Sequence, residues 1–148
     1  MITRVAIGTD HRGFALKEFL KQNVVIEGLE IAWLDLGAYN DQRSDYPVFS
    51  ESVCQAILAG TVERGILLCA TGVGMAIAAN RHPGIYAAVA WNVDVARMSV
   101  EDDKANILVL PSDYITNSEA IAIVIAHLTA QFRGGRYQER ITMIDRIR

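Results

Sequence analysis

The sequence predicts an α/β fold: a Rossmann-like, doubly wound sheet of five parallel strands, covered by helices on both faces, with a further helix at the C-terminus. Five short apolar runs alternate with segments of helical periodicity. Strands buried on both faces of a parallel sheet have this nearly continuous apolar pattern. The chain has 148 residues, of which 51% are hydrophobic, so we expect a single domain over residues 1–148.

The first half of the chain predicts three strands and the helices that follow them. Residues 4–10 form an apolar run that ends in Gly and Asp. Residues 13–23, with Val24 directly after them, place Phe, Leu and Val at helical spacing. Residues 30–37 are the second strand, and a helix over 47–58 begins with a proline, which suits a first helical turn. The run RGILLC at 64–69 is the third strand and leads directly into a helix of small residues.

The second half of the chain continues the alternation. Residues 85–91 are predicted as the fourth strand, with a helix over 93–101, and residues 106–111 as the fifth strand. A long helix over 118–132 has an apolar face. The tail predicts a final helix over 136–148 with an apolar side of its own. Such a helix needs a partner surface, and a neighbouring subunit is one candidate.

Composition argues against several functional classes. The formal net charge is −3, so the chain has no overall positive field to hold nucleic acid or an anionic membrane. No pair of histidines or cysteines has metal-ligand spacing, which predicts no metal site. Cys54 and Cys69 occur without an apolar secretion signal or a run of about 18 apolar residues. We therefore expect a cytoplasmic protein in which both thiols are free.

Polar residues follow the first three predicted strands. In open α/β sheets, ligands bind beyond the carboxyl ends of the strands, near the point where the strand order reverses. We therefore expect the functional site among three loops, which carry Asp10, His11 and Arg12, then Ser44, Asp45 and Tyr46, then residues 69–74. His11 has a carboxylate on one side and a cation on the other, which suits a functional histidine. An exposed loop histidine without a role fits the same pattern.

The third loop, CATGVGMAIAAN at 69–80, predicts an anion or oxyanion site. Gly72 and Gly74 allow the backbone to approach a ligand closely, and the start of the next helix directs N–H groups towards it. The loop lacks the third glycine of the dinucleotide fingerprint, so nucleotide binding is weakly supported. A helix N-terminus can also stabilise a thiolate, which makes Cys69 a candidate base. Composition alone favours packing for Cys69, because free cysteines are usually buried.

The tail carries several arginines beside a Gly-Gly pair. Arg133, Arg136 and Arg140 have guanidinium groups that match phosphate oxygens. An ordinary solvated helix face is the alternative interpretation.

Taken together, these segments resemble a known family, the type B ribose-5-phosphate isomerases, which group with the galactose-6-phosphate isomerases. The resemblance covers residues 2–140 and rests on GTDHRGFALKEFL, DLGAYNDQRSDYP, GILLCATGVGMAIAANRHPGIYAAVAW, DDKANILVL and FRGGRYQER. It implies an aldose–ketose isomerase of the pentose phosphate pathway, which interconverts ribose 5-phosphate and ribulose 5-phosphate through an enediolate without metal or organic cofactor. It also implies a homodimer with a shared active site. A tetramer of two such dimers remains an open alternative.

The resemblance also implies residue roles. Cys69 is implied as the base, with Thr71 near it. Substrate binding is implied for Asp10, His11, Tyr46, Ala70, Gly72, Val73 and Gly74. Phosphate binding is implied for Arg136 and Arg140, together with His11.

The sequence departs from the family pattern at four positions. Asp102 occupies the position of the ring-opening histidine, and Asp103 that of a substrate-binding asparagine. Asp113 stands where the family has a phosphate-binding arginine, and Ala70 replaces a glycine. An aspartate at 102 can act as a general acid or base if its pKa is raised. Arg12 or Lys104 is a candidate to replace the lost arginine.

The same departures favour other functions. One is an isomerase for a different phosphosugar, such as a hexose 6-phosphate or a tetrose 4-phosphate, the second of which cannot close a furanose ring and needs no ring opening. Another is a non-catalytic paralogue that binds a sugar phosphate. A flavodoxin-like nucleotide binder is a more distant alternative.

Overall fold

The computed structural model describes residues 1–147 and contains one parallel sheet of five strands. The strands are β1 (Ile2–Thr9), β2 (Glu30–Asp35), β3 (Arg64–Cys69), β4 (Ala87–Val89) and β5 (Ile107–Pro111). Their order is β2-β1-β3-β5-β4, and every neighbouring pair is parallel. The strand order reverses between β1 and β3, as in a doubly wound sheet. The predicted fold class is confirmed.

Helices cover both faces of this sheet. They are α1 (Phe14–Asn23), α2 (Tyr46–Leu58), α3 (Val73–Ala79), α4 (Val93–Glu101), α5 (Asn117–Thr129) and α6 (Arg136–Asp145), together with a short 3-10 helix at His11–Gly13. Apolar residues of α1, α4 and α5 pack on one face, and those of α2 and α3 on the other. The buried residue of α6 is Ile141. No helix within residues 1–147 is both long and apolar enough to cross a membrane.

The central strand β3 explains why the strands are so apolar. Side chains alternate along a strand, so Ile66 and Leu68 join the core beneath α1 and α5. Leu67 and Cys69 join the core beneath α2 and α3. Because both faces are buried, β3 contributes apolar side chains in both directions and ends with Cys69.

Several element boundaries differ from the sequence-based prediction. The first strand begins at Ile2 rather than Arg4, because Ile2 is in register with Glu30 of β2. The strand predicted over 85–91 is reduced to the three residues of β4 at the sheet edge, in register with β5 through Val89 and Val109.

Helix boundaries also differ at two places. The second helix begins at Tyr46, one residue before the predicted proline. The helix predicted over 118–132 runs from Asn117 to Thr129 instead, because Thr116 caps its start and Ala130 is extended. The carbonyl oxygen of Ala130 accepts a hydrogen bond from Arg64. The final helix ends at Asp145, and residue 148 of the predicted helix lies outside the described residues.

Candidate active site

The predicted site residues lie at two opposite edges of the sheet. At the carboxyl edge, Cys69 is in register with Pro111, and at the amino edge, Gly65 is in register with Ile107. Four residue steps of strand separate the two edges, which is about 13 Å. The carboxyl-edge cluster consists of Asp10, His11, Arg12, Tyr46, Asp113 and residues 69–74. The amino-edge cluster consists of Asp102, Asp103, Arg133, Arg136 and Arg140.

Cys69 lies at the point where β3 turns into α3. Its side chain is on the surface of the core, with 5% of the residue exposed. The backbone N–H of Gly72 donates a hydrogen bond to Cys69 Sγ over 3.2 Å. Such a bond stabilises negative charge on the sulfur. The backbone N–H of Val73 donates to Thr71 Oγ1, also over 3.2 Å, so the loop holds both side chains in place.

Gly72 is required for this loop. Its φ of +79° lies in the left-handed region, which glycine adopts without steric cost. An added Cβ would also lie 3.2 Å from Val89 Cγ1 and 3.3 Å from Val109 Cγ1. A side chain at Gly72 would therefore disturb the turn that presents an N–H group to Cys69.

Cys54 lies in a different place from Cys69, away from the strand ends. It lies inside α2, is completely buried and packs in the core beneath α2 and α3. Burial raises the pKa of the Cys54 thiol to about 11. The thiol is therefore protonated near neutral pH and out of reach of a substrate, and Cys54 is a packing residue.

Tyr46 packs directly against the Cys69 loop. It is the first residue of α2, and its ring lies so close to Gly74 that an added Cβ there would be 2.6 Å from Tyr46 Cζ. The added Cβ would also be 2.9 Å from the phenol oxygen of Tyr46. Because Gly74 has no Cβ, Tyr46 can contact the loop of Cys69. This contact connects the start of α2 to the segment that follows β3.

Asp10 and His11 are fixed by backbone hydrogen bonds. Asp10 Oδ1 accepts from the N–H of Arg12 over 2.9 Å and so caps the 3-10 helix. His11 Nδ1 accepts from the N–H of Ser44 over 3.2 Å. In the neutral imidazole, the proton then lies on Nε2, which is free to donate to a ligand oxygen. The sequence drew attention to the loop of Ser44 but did not identify Ser44 as the partner of His11.

A buried lysine, which was not identified from the sequence, supports the loop that contains Ser44. The side chain of Lys17 is completely buried and contacts Asp35 Oδ1 and Oδ2 at 2.7 and 2.8 Å. Its ammonium also donates to the carbonyl oxygen of Ala38 over 2.6 Å. Burial alone would raise the pKa of Asp35, but hydrogen bonds from Lys17 and Lys21 hold it below its ordinary value. Lys17 therefore anchors the start of the loop that leads to Ser44.

The loop after β5 is tied to the loop of Cys69. The N–H and the hydroxyl of Ser112 donate to the carbonyl oxygen of Cys69 over 2.9 and 2.8 Å. The N–H of Asp113 donates to the carbonyl oxygen of Ala70 over 3.1 Å. The Asp113 carboxylate forms an ion pair with Arg12. The loops after β1, β2, β3 and β5 are thus connected by direct contacts.

The amino-edge cluster surrounds the segment between α4 and β5. Arg133 Nη2 lies 3.0 Å from Glu101 Oε2, and Arg133 Nε lies 3.6 Å from Asp102 Oδ1. The guanidinium groups of Arg133, Arg136 and Arg140 all lie over the ring of Tyr137, 5.2 to 5.6 Å from its centroid. Tyr137 was not identified from the sequence, although its position between arginines at 136 and 140 is typical of cation–π stacking.

Electrostatic interactions also connect members of this cluster. Loss of hydration and the charge of Asp102 raise the pKa of Asp103, while Arg140 opposes the shift. The hydrogen bond from Arg136 lowers the pKa of Tyr137, with Arg133 acting in the same direction. Residues Asp102, Asp103, Arg136 and Arg140 therefore form one group of charges.

The two clusters do not meet within one chain. Across residues 1–147, no hydrogen bond or ion pair joins a member of one cluster to a member of the other. The structure therefore brings Asp10, His11, Tyr46 and Cys69 together but leaves Asp102, Arg136 and Arg140 at the far edge. Each chain therefore carries the predicted site residues in two separate clusters.

Comparison with known proteins gives a consistent result. The model of the family "Ribose/Galactose Isomerase" matches residues 5–144. Ribose-5-phosphate isomerase B of Escherichia coli is 39% identical over 144 residues, which cover 97% of this chain and 95% of that protein. The crystal structure of the Thermotoga maritima ribose 5-phosphate isomerase is 43% identical, with a TM-score of 0.91 and coverage of 98% and 99%.

A third relative was crystallised with a ligand. The Mycoplasma genitalium ribose-5-phosphate isomerase B, with bound ribulose-5-phosphate, is 37% identical with a TM-score of 0.88. The match covers 97% of this chain and 95% of that protein. Because sequence and structure match over almost the whole length, this chain belongs to the ribose/galactose isomerase family.

Proposed function

We propose that this chain is an aldose–ketose isomerase that interconverts D-ribose 5-phosphate and D-ribulose 5-phosphate through an enediolate. The observation that carries the proposal is the thiol of Cys69 at the end of β3, which accepts the N–H of Gly72. The Escherichia coli relative is named for this activity, and ribulose-5-phosphate is bound to the Mycoplasma relative. A base beside backbone donors at a strand end suits enediolate chemistry.

The proposed reaction begins with the Cys69 thiolate removing the proton from C2 of the open-chain aldose. The electron pair of that C–H bond forms the C1–C2 double bond, and the carbonyl oxygen O1 becomes an oxyanion. Backbone N–H groups of Ala70, Thr71 and Gly74, which do not bond to the side chains of Cys69 or Thr71, hold this oxygen. A proton then passes from the O2 hydroxyl to O1, and we assign the hydroxyl of Thr71 to this transfer. The Cys69 thiol finally protonates C1, which gives the 2-ketose.

The neighbouring residues of the carboxyl edge bind the sugar in this proposal. Asp10 accepts a hydrogen bond from a sugar hydroxyl, and His11 donates through Nε2, since its Nδ1 is occupied by Ser44. Tyr46 forms one wall over the loop. The chemistry needs a base and oxyanion donors and no metal or organic cofactor, and we propose that it takes place in the cytoplasm.

We further propose that two copies of the chain complete each site. The carboxyl-edge cluster of one copy then faces the amino-edge cluster of the other, so that Arg136 and Arg140 of the second copy bind the phosphate. The separation of the two clusters by about 13 Å of strand supports this arrangement. Exposed apolar residues beside the loop, Val73 and Ile77 of α3, offer a surface for the second copy.

A second candidate function keeps the chemistry and changes the substrate. Asp102 carries a carboxylate next to Arg133, where the family resemblance leads us to expect an imidazole for ring opening. A tetrose 4-phosphate cannot close a furanose ring, because its C4 oxygen is esterified. An isomerase for that substrate has no need of a ring-opening group.

A substrate panel tests both candidates. Initial rates are measured with ribose 5-phosphate, erythrose 4-phosphate and allose 6-phosphate, and the values of kcat/KM are compared. We expect ribose 5-phosphate to give the highest value. A clear preference for erythrose 4-phosphate would support the second candidate, and turnover of none of the three would leave only a non-catalytic sugar-phosphate binder.

A further inference from the structure

We propose that Arg12 binds the phosphate group of the substrate from the carboxyl edge, and that Asp113 is a positioning residue that holds Arg12 for this task. The inference rests on the proposed function, because it takes a phosphosugar to bind with C1 and C2 at Cys69. It explains why an acidic residue stands at a site for an anion.

The backbone of Arg12 is fixed at the carboxyl edge. Arg12 follows His11 in the 3-10 helix, and its N–H donates to Asp10 Oδ1 over 2.9 Å. The residue therefore begins next to a histidine whose Nε2 is free to donate. Its side chain extends from the loop after β1 to the loop after β5, where it meets Asp113, 101 residues further along the chain.

The acidic partner is equally well placed. The N–H of Asp113 donates to the carbonyl oxygen of Ala70, so its backbone is tied to the loop that follows Cys69. The ion pair runs from Arg12 Nη2 to Asp113 Oδ2. Asp113 thereby holds the guanidinium of Arg12 at the rim of the Cys69 loop.

The guanidinium has donors left for a second anion. Arginine has five N–H donors in a planar fork, and the ion pair with Asp113 is made through Nη2. The side chain of Arg12 is 54% exposed, so the remaining donors are accessible to a ligand. A guanidinium that one carboxylate orients can still bind phosphate oxygens through its other edge.

Charge favours the same conclusion. An unpaired carboxylate at this edge would repel a phosphate dianion, and the ion pair with Arg12 cancels the charge of Asp113. The other cations considered for this role are occupied elsewhere: Arg133 contacts Glu101 and Asp102, and Lys104 lies over the ring of Phe132. Both belong to the amino edge, whereas Arg12 already lies beside His11.

The test measures the affinity for ribose 5-phosphate by titration calorimetry, so that it does not depend on turnover. The variants are Arg12→Gln, Asp113→Asn and the reversed pair Arg12→Asp/Asp113→Arg. Arg81→Gln is the matched control, because Arg81 is an exposed arginine that follows α3. We expect Arg12→Gln to weaken binding about ten-fold or more, and Arg81→Gln to leave it unchanged.

The other two variants separate positioning from simple repulsion. If Asp113 positions Arg12, Asp113→Asn weakens binding, and the reversed pair binds more tightly than Arg12→Gln because it returns an arginine to the same edge. Tighter binding by Asp113→Asn would overturn the positioning role, since it would show that the carboxylate only repels the phosphate.

The outcomes also distinguish this inference from the proposed function. Equal affinity of the wild type and Arg12→Gln would overturn the role of Arg12 even if the wild type is an active isomerase. Tight binding by the wild type without turnover would contradict the proposed activity and leave the binding role of Arg12 intact. A wild type that binds no ribose 5-phosphate would overturn both.

Discussion

The two clusters are held in place by different kinds of interaction. At the carboxyl edge, backbone N–H groups fix the side chains nearest the loop of Cys69, as Gly72 does for Cys69 and Ser44 for His11, and the ion pair of Arg12 with Asp113 lies at the rim. At the amino edge, charged side chains hold one another, as Arg133 holds Glu101. The position of a side chain that backbone N–H groups hold depends on the fold. The position of a side chain that an ion pair holds changes when the residue of opposite charge is substituted.

This difference coincides only in part with the pattern of the sequence. The side chains of Cys69, His11 and Tyr46 are those that the family resemblance leads us to expect. The four departures are divided between the edges, with Ala70 and Asp113 at the carboxyl edge and Asp102 and Asp103 at the amino edge. We infer that proton transfer depends on the residues that the fold fixes around Cys69, while substrate preference is adjusted at the charged positions 102, 103 and 113. The predictions below test this division, beginning with the largest expected effect.

Replacing the proposed base should have the largest effect. Cys69→Ala removes the group that takes the C2 proton, and we expect kcat to fall by about 10³-fold. Exchange of the C2 proton with deuterated solvent, followed by NMR, should be lost in parallel. Cys54→Ala is the matched control and should retain turnover, because Cys54 is completely buried in α2. The opposite result, with Cys54 essential and Cys69 dispensable, would contradict the assignment of the base to Cys69.

Removing the amino-edge arginines should affect binding more than chemistry. We expect Arg136→Ala/Arg140→Ala to raise KM for ribose 5-phosphate by about 100-fold, since two charge-assisted contacts to phosphate are lost. Gln138→Ala is the control, because Gln138 is an exposed residue on the same helix. A change in kcat alone, with KM preserved, would show that these arginines do not bind the phosphate.

An imidazole at position 102 should have a smaller and selective effect. We expect Asp102→His to raise kcat/KM for ribose 5-phosphate about ten-fold, within the range of general acid–base catalysis. Erythrose 4-phosphate needs no ring opening and should show little change. Asp102→Asn is the control, because it removes the charge without adding a titratable ring. Equal gains for both sugars would exclude ring opening as the reason.

The smallest effect on turnover is expected at His127, which belongs to neither cluster. This residue of α5 is fully buried, and neither ring nitrogen has a hydrogen-bond partner. Burial, with a contribution from Arg64, lowers the pKa of His127 to about 3. Above pH 6.5, the ring is neutral in both the folded and the unfolded state. Below pH 6.5, only the unfolded state takes up the proton, so the free energy of unfolding falls as the pH falls towards 3.

His127→Leu should remove this acid sensitivity. We expect the variant to be more stable than the wild type by about 1 to 3 kcal/mol at pH 7.5, because it buries no unpaired nitrogen. Its advantage should grow by about 2 kcal/mol between pH 7.5 and pH 5. Urea unfolding at both pH values provides the measurement, with turnover unchanged at pH 7.5. An advantage that does not depend on pH would show that His127 takes up a proton in the folded protein as readily as in the unfolded chain.

Much of the fold was predictable because burial on both faces of a sheet leaves a clear apolar pattern. The run RGILLC gave the bounds of β3, and the position of Cys69 at its carboxyl end followed directly. The short strand β4 was overestimated, since apolar residues that flank an edge strand look the same as residues within it.

The division of the site was harder to predict, although the order of the elements contains the information. Asp102 comes after a helix and before a strand, which places it at the amino edge, whereas Cys69 comes after a strand. The family resemblance implies a shared site but leaves open which residues each copy contributes. Contacts such as Ser44 to His11, or Arg12 to Asp113, leave no pattern in the sequence, because a backbone donor or a distant opposite charge can belong to any residue.

The central claim is that each active site combines the carboxyl edge of one copy with the amino edge of another. Complementation tests it most directly. The Cys69→Ala chain and the Arg136→Ala/Arg140→Ala chain are mixed by refolding together and assayed at a substrate concentration far below the raised KM of the second, where we expect neither chain alone to turn over measurably. Random pairing should restore one intact site in each mixed dimer, which is about a quarter of the wild-type turnover at equal chain concentration. A mixture no more active than the sum of its two components would contradict the shared site.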